Sequence, residues 1–241
     1  MGVFRFKRFE VRNELSAMKV NTDGVLLGAA ATLDISDRRI LDVGTGTGTI
    51  ALMLAQRYDD MYPTAMPEIT GIDIDAPSAT EASANFAGSP WAGSLFCIHT
   101  SLQDMMPDDK FDLIVSNPPY FEKDLQAPES RRNTARHGDS TLSYEDIISF
   151  ASKNLTTSGR LSLILPSDRR SELVRKAAEY GLQPFRALSI KTGASKPVTR
   201  SIIELARTAE NAKEEELVMT EKGRNTSRYL SLVSDFYLFT D

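Results

Sequence analysis

Arg39 to Val43 reads as a short strand, Gly44-Thr45-Gly46-Thr47-Gly48 as a tight loop, and Thr49 to Tyr58 as a helix. A strand that stops in glycines and restarts as a helix is a nucleotide-binding βα unit. The glycines let the backbone turn sharply and approach a ligand, while the first N–H groups of the helix face it. The spacing separates two cofactor classes. A dinucleotide fingerprint is G-x-G-x-x-G, but Thr49 follows Gly48 here, and Asp42 stands at the strand end. An acid beside the loop repels a pyrophosphate and suits the ammonium of an amino-acid moiety. Asp42, Gly44, Gly46 and Gly48 are therefore candidate contacts for S-adenosylmethionine rather than NAD. The competing reading is a glycine turn that only packs helix on strand.

With 241 residues, 41% of them hydrophobic, the chain is long enough for one large α/β domain over residues 1–241. Residues 1–35 then form an N-terminal basic, aromatic extension and a helix packed on the core. A formal net charge of −5 argues against coating nucleic acid through bulk charge, so local cations matter more than the total. Cys97 is the only cysteine, which excludes an intrachain disulfide and a cysteine-based metal cluster and suits a reducing cytoplasm. With only His99 and His137 to add imidazoles, no metal is expected. No apolar run approaches a membrane span and no signal-peptide core is visible, so no membrane partner is expected either. The expected state is a monomer.

Further along, Ile69 to Ile74 is a second strand. Asp73 at its end is placed to accept the ribose hydroxyls of a nucleoside. Asp75 competes for that role but fits better as the cap of a helix from Pro77 to Ala87. Leu95 to Thr100 is a third strand, with Cys97 a small core residue, and after it Gln103 or Asp104 can meet an adenine. Earlier, Thr22 or Asp23 is a plausible N-cap for a buried helix from Gly24 to Leu33.

The fourth strand, Phe111 to Ser116, ends abruptly at Asn117-Pro118-Pro119-Tyr120. Two prolines fix two φ angles and remove two donors, and Pro118 keeps Asn117 out of the helical region. Such a stiff corner can aim two acceptors, the Asn117 side-chain oxygen and the Pro118 carbonyl, at a planar amine, with the Tyr120 ring against the same group. Asn117, Pro118 and Tyr120 are the catalytic candidates, and Asn117 also borders the cofactor. The alternative is a strand end closed by an ordinary turn.

Cations gather in three places. Arg5, Lys7 and Arg8 interleave with Phe4, Phe6 and Phe9. That stretch reads either as an edge hairpin with its rings inward or as a nucleic-acid contact with cations on phosphates. Gln126 to Ser140 holds Arg131, Arg132, Arg136 and His137, either a solvated loop or an RNA-contacting one over the site. Arg186, Lys191, Lys196 and Arg200 form a second basic region across the strands Pro184 to Lys191 and Arg200 to Thr208. Before them come a helix from Ser143 to Leu155, a strand from Arg160 to Leu165 and a helix from Asp168 to Tyr180. Glu210 to Glu216 reads as an acidic surface turn, Leu217 to Thr220 as a short last strand, and Ser227 to Phe239 as a closing helix.

Asp42-Val43-Gly44-Thr45-Gly46-Thr47-Gly48, the acid Asp73 and Asn117-Pro118-Pro119-Tyr120 together resemble class I S-adenosylmethionine-dependent methyltransferases. More narrowly, Phe4 to Phe9, Met18-Lys19-Val20 with Thr22-Asp23-Gly24, Ser89-Pro90-Trp91-Ala92 and Phe236-Tyr237-Leu238-Phe239 resemble the bacterial tRNA1(Val) adenine-N6 methyltransferases over nearly the whole chain. The resemblance implies a doubly wound, seven-stranded, mostly parallel sheet with helices on both faces. It also implies S-adenosylmethionine as cofactor, Thr22 and Asp23 close to it, and a tRNA anticodon stem-loop as partner. The implied reaction is methylation of the N6 amine of adenosine 37, and Arg5, Lys7, Arg8, Arg131 and Arg136, read from the basic segments above, are the candidate RNA contacts. One position departs: Leu102 stands where such enzymes often place an Asp against the cofactor adenine, so Gln103, Asp104 or a backbone contact must substitute.

Three other readings share these features. A glutamine side chain of a release factor offers the same planar NH₂, although enzymes of that kind usually carry a helical domain before the glycine motif. Guanine-N2 methylation of ribosomal RNA fits the same geometry, and a cofactor-binding platform without turnover is the non-enzymatic alternative.

Overall fold

The computed structural model describes residues 2–119, 142–208 and 211–238. A separate antiparallel hairpin, β1 (Val3–Arg5) and β2 (Glu10–Arg12), precedes the main sheet. Then come α1 (Thr22–Ala30), β3 (Arg39–Val43), α2 (Thr49–Met61), β4 (Glu68–Asp73), α3 (Ala76–Ala87), β5 (Leu95–His99) and β6 (Phe111–Ser116). After the undescribed stretch follow α4 (Tyr144–Asn154), β7 (Leu155–Pro166), α5 (Arg170–Glu179), β8 (Gln183–Gly193), β9 (Val198–Ala206), β10 (Lys213–Glu221), β11 (Arg224–Asn225) and α6 (Ser227–Val233).

The nine described strands lie in the order β11-β10-β8-β9-β7-β6-β3-β4-β5. All run parallel except β9 and the two-residue β11. The expected doubly wound α/β sheet is present, extended at one edge by β10 and β11. From β3 the chain winds outward through β4 to β5, then returns to start again at β6 on the other side of β3. That reversal is the switch point where open α/β sheets bind ligands. β3 and β6 are adjacent and in register, with Val43 opposite Ser116. The glycine loop and the Asn117 corner therefore leave the sheet side by side, about 4.8 Å apart in strand spacing.

Alternation along the strands divides the core in two. Ile40, Leu113 and Val115 pack with α1, α2 and the hairpin rings, whereas Leu41, Val43 and Ile114 pack with α4 and α5. The hairpin joins the first cluster through Phe6 and Phe9, which stack at 4.6 Å, and Phe9 meets the Trp91 edge. This is the inward-ring reading of that segment. Its cations are not all simply solvated, however. Arg8 pairs with Asp59 and Asp60 and lies over the Trp91 ring, while Arg5 pairs with Glu10.

Several boundaries differ from expectation, each for a traceable reason. The cap of α1 is Asn21, not Thr22 or Asp23, because its Oδ1 reaches the Gly24 amide at 2.8 Å. Glu210 of the expected acidic turn lies outside the described residues, and Lys213 to Glu216 are strand, since β10 runs parallel to β8 and its acids meet cations there. Glu215 accepts from Arg186 at 2.8 Å and Glu216 pairs with Lys191 at 2.8 Å. The closing helix stops at Val233, after which Phe236 and Tyr237 turn to the hairpin, where Tyr237 bridges Phe6. Asp75 caps α3 as expected, and Ser143 and Asp146 close a capping box on α4.

Candidate active site

The cradle is built from three strand ends. After β3, Gly44, Gly46 and Gly48 all take positive φ, and a Cβ on Gly48 would lie 2.4 Å from the Phe86 ring. Only glycine lets the loop turn there and α2 start so close to α3. The Gly46 amide donates to Asp73 Oδ2 at 2.8 Å, and the Asp75 amide donates to Asp73 Oδ1 at 2.9 Å. Each carboxylate oxygen can accept again, so Asp73 both shapes the loop and retains capacity for a hydroxyl. Burial raises its pKa.

Asp42 is fully buried beneath the loop. Thr45 Oγ1 donates to its Oδ2 at 2.7 Å, while Oδ1 has no hydrogen-bond partner among the described residues. Burial pushes its pKa up to about 7, with Thr45 and the Ala51 backbone offsetting part of the rise. A buried carboxylate with an unmet oxygen is costly on its own, and a cationic ligand would relieve that cost.

A strap formed by Glu14 to Asn21 crosses the loop. Glu81 on α3 holds it by accepting the amides of Glu14, Leu15 and Ser16 at 2.6, 2.9 and 2.8 Å. The strap passes so near that a Cβ on Gly46 would sit 3.5 Å from Ser16 Oγ. Met18, Asn21, Gly44, Gly46, Thr49 and Asn117 line one small cleft between strap, loop and corner.

At the corner, Asn117 is only 7% exposed, and Pro118 is buried beside it. Its Nδ2 faces the strap, 3.4 Å from Asn21 Oδ1 and 3.9 Å from Met18 Sδ. Ser116 Oγ donates to the Val43 carbonyl at 2.7 Å, tying the two strand ends together. Asn117, Asp42, the glycines and Asp73 are thus brought to one edge of the sheet.

The other candidates are placed less centrally. Thr22 begins α1 and is exposed, whereas the Asp23 carboxylate accepts from Arg200 Nε at 2.8 Å. Gln103 is exposed, and Asp104 accepts from the Ser101 hydroxyl at 2.6 Å. Leu102 is buried in the core beneath them. Lys7 is exposed, and Arg8 is held near the far end of α2, about 15 Å along that helix from its start at the loop. Tyr120, Arg131 and Arg136 lie outside the described residues. Among the described residues no cluster of His, Cys, Asp or Glu gathers to hold a metal, and no helix is long and apolar enough to cross a membrane.

Residues 16–177 match the family model described as Methyltransferase small domain. The chain is 44% identical to the tRNA1(Val) (adenine(37)-N6)-methyltransferase of Parabacteroides distasonis, over 98% of this chain and 97% of that one. It belongs to that methyltransferase family. The corresponding protein of Pedobacter heparinus is 40% identical over 98% of both chains. A solved structure from Agrobacterium tumefaciens, described as a predicted O-methyltransferase, covers 89% of this chain and is itself 96% covered. Its TM-score of 0.65 at 20% identity confirms the fold.

Sequence reasoning gave no role to three residues near this cradle. Asn21 lies 3.4 Å from Asn117, Glu81 anchors the strap, and Ile74 beside Asp73 is 58% exposed. For Ile74 a signal existed: an isoleucine between two acids at a strand end is an odd residue to leave in water.

Proposed function

We propose that this chain transfers a methyl group from S-adenosylmethionine to the N6 amine of an adenosine in tRNA, at position 37 of valine tRNA. The observation that carries the reading is the register of Val43 with Ser116, which sets the Asn117 corner beside the Asp42 cradle. Asp42 Oδ1 would take the cofactor ammonium, Asp73 its ribose hydroxyls, and Ile74 its adenine. When bound, that cofactor supplies an electrophilic methyl on a sulfonium.

The chain's own contribution concerns the amine. An exocyclic adenine amine is a poor nucleophile because its lone pair is delocalised into the ring. Asn117 Oδ1 and the Pro118 carbonyl, each accepting one N–H, localise that lone pair and hold the nitrogen in line. The methylated nitrogen would be cationic and strongly acidic, so one of its protons passes to water, and no strong general base is needed. Extruding the adenine costs a few kcal/mol, and stacking on Tyr120 returns about 1–3 of them. Arg5, Lys7, Arg131 and Arg136 serve as phosphate contacts in this reading. Arg8 would have to surrender two ion pairs to join them. The chain acts as a single-domain monomer in the cytoplasm, where tRNA is met, and uses no metal.

Labelled S-adenosylmethionine offered with total tRNA, ribosomal RNA or release factor in separate reactions tests this. Label in tRNA is the expected outcome. Label in release factor alone sinks the reading in favour of amide methylation.

A further inference from the structure

The carboxamide of Asn117 has two ends of similar shape and opposite chemistry. With the oxygen toward the substrate it accepts an amine N–H; turned over, it would set donor against donor. Something in the fold must choose between the two orientations.

We propose that Asn21 makes this choice and is a positioning residue for the acceptor corner. The inference rests on the amine-methylating reading given above. Asn21 Oδ1 caps α1 by accepting the Gly24 amide at 2.8 Å, and Asn21 Nδ2 donates to the Lys19 carbonyl at 3.0 Å. Both ends of that side chain are therefore oriented by backbone. The group it presents to Asn117 is an oxygen, which can accept but not donate. Asn117 must answer with Nδ2, at 3.4 Å. The thioether of Met18, also acceptor-only, lies 3.9 Å from the same nitrogen. Two acceptors on one short segment thus read the amide nitrogen and turn Oδ1 to the opposite side. Because Ser16 and Met18 of the same strap lie over Gly46, the segment that roofs the cofactor loop also orients the acceptor.

The capping and positioning roles can be separated. Asn21→Ser keeps an N-cap oxygen but shortens the side chain beyond reach of Asn117, whereas Asn21→Asp keeps both the cap and an acceptor. Single-turnover methyl transfer to saturating tRNA, cofactor affinity by calorimetry and the thermal midpoint would be measured for wild type and both variants. The Ser variant is expected to lose about five- to tenfold in rate, the weight of one hydrogen bond, with cofactor affinity and midpoint retained. The Asp variant keeps the acceptor toward Asn117 but loses the donation to the Lys19 carbonyl, and is expected to fall between the Ser variant and wild type. A Ser variant as fast as wild type, or an Asp variant as slow as the Ser variant, overturns the role of Asn21. A wild type that transfers no methyl to tRNA overturns the functional reading and this one with it.

Discussion

Asp37 and Glu204, beneath the C-terminal end of α1, and Asp42, under the glycine loop, are all buried, yet they are surrounded very differently. Asp37 takes two hydrogen bonds from Arg160, at 2.9 and 2.6 Å, together with the Tyr58 hydroxyl. Glu204 takes the Thr32 amide at 2.8 Å, its hydroxyl at 2.7 Å and Arg186 at 2.7 Å. Asp42 has the Thr45 hydroxyl and no cation, and its Oδ1 is unmet among the described residues. Burial alone therefore does not mark a functional acid. The saturated pair ties α1 to β7, β8 and β9; the unsaturated acid has one oxygen left to accept.

Measurements of stability, turnover and cofactor affinity separate the two kinds of buried acid. The largest effect is expected at the saturated acids. Asp37→Asn takes the carboxylate partner from Arg160 and should cost about 3–5 kcal/mol in denaturant unfolding, whereas Glu204→Gln leaves Arg186 its pair with Glu215 and should cost less. Asp42→Asn should leave stability unchanged or raise it, because the fold already holds that carboxyl near its neutral form. Equal losses at Asp42 and Glu204 would erase the distinction. Next, Asn117→Ala should lower single-turnover methyl transfer about 10²–10³-fold, the scale of losing one aligned polar group at a reacting centre, while cofactor still binds. Near-normal turnover would remove the acceptor role from the corner.

At the cradle itself, Asp42→Asn should weaken S-adenosylmethionine binding about tenfold to a hundredfold, the weight of one charge-assisted hydrogen bond. The smallest effect is the pH dependence of the wild type. Asp42 is shifted from 3.8 up to about 7. Its contribution to the stability of the cofactor-free fold is complete below pH about 4 and lost as pH rises through about 7. A cationic ligand needs the ionised form, so affinity should fall about tenfold per pH unit below that value. Calorimetry at pH 8, 7 and 6 checks this, and a wild-type curve as flat as that of Asp42→Asn would contradict it.

How legible these features were depended on where their partners lie along the chain. β3 and β6 begin and end at the expected residues because both faces of each are buried and glycine or proline punctuates their ends. The placement of Asp42, Asp73 and Asn117 at one edge of the sheet was readable because each lies at or next to the end of a strand. By contrast, the acids of β10 looked solvated because their cations, Arg186 and Lys191, stand far back on β8. Arg8 looked available for phosphate because Asp59 and Asp60 are farther still along the chain. Asn21, Thr22 and Asp23 can each cap a helix, and only the folded backbone shows which one does. The same fold then sets that cap against Asn117, a contact that no local pattern announces.

One comparison tests the central claim most directly. Valine tRNA with adenosine at position 37, and the same tRNA with guanosine there, would each be incubated with the protein and S-adenosylmethionine, then digested to nucleosides for mass spectrometry. N6-methyladenosine is expected from the first and none from the second. N6-methyladenosine from both, or methylated guanosine in place of methylated adenosine, would contradict it.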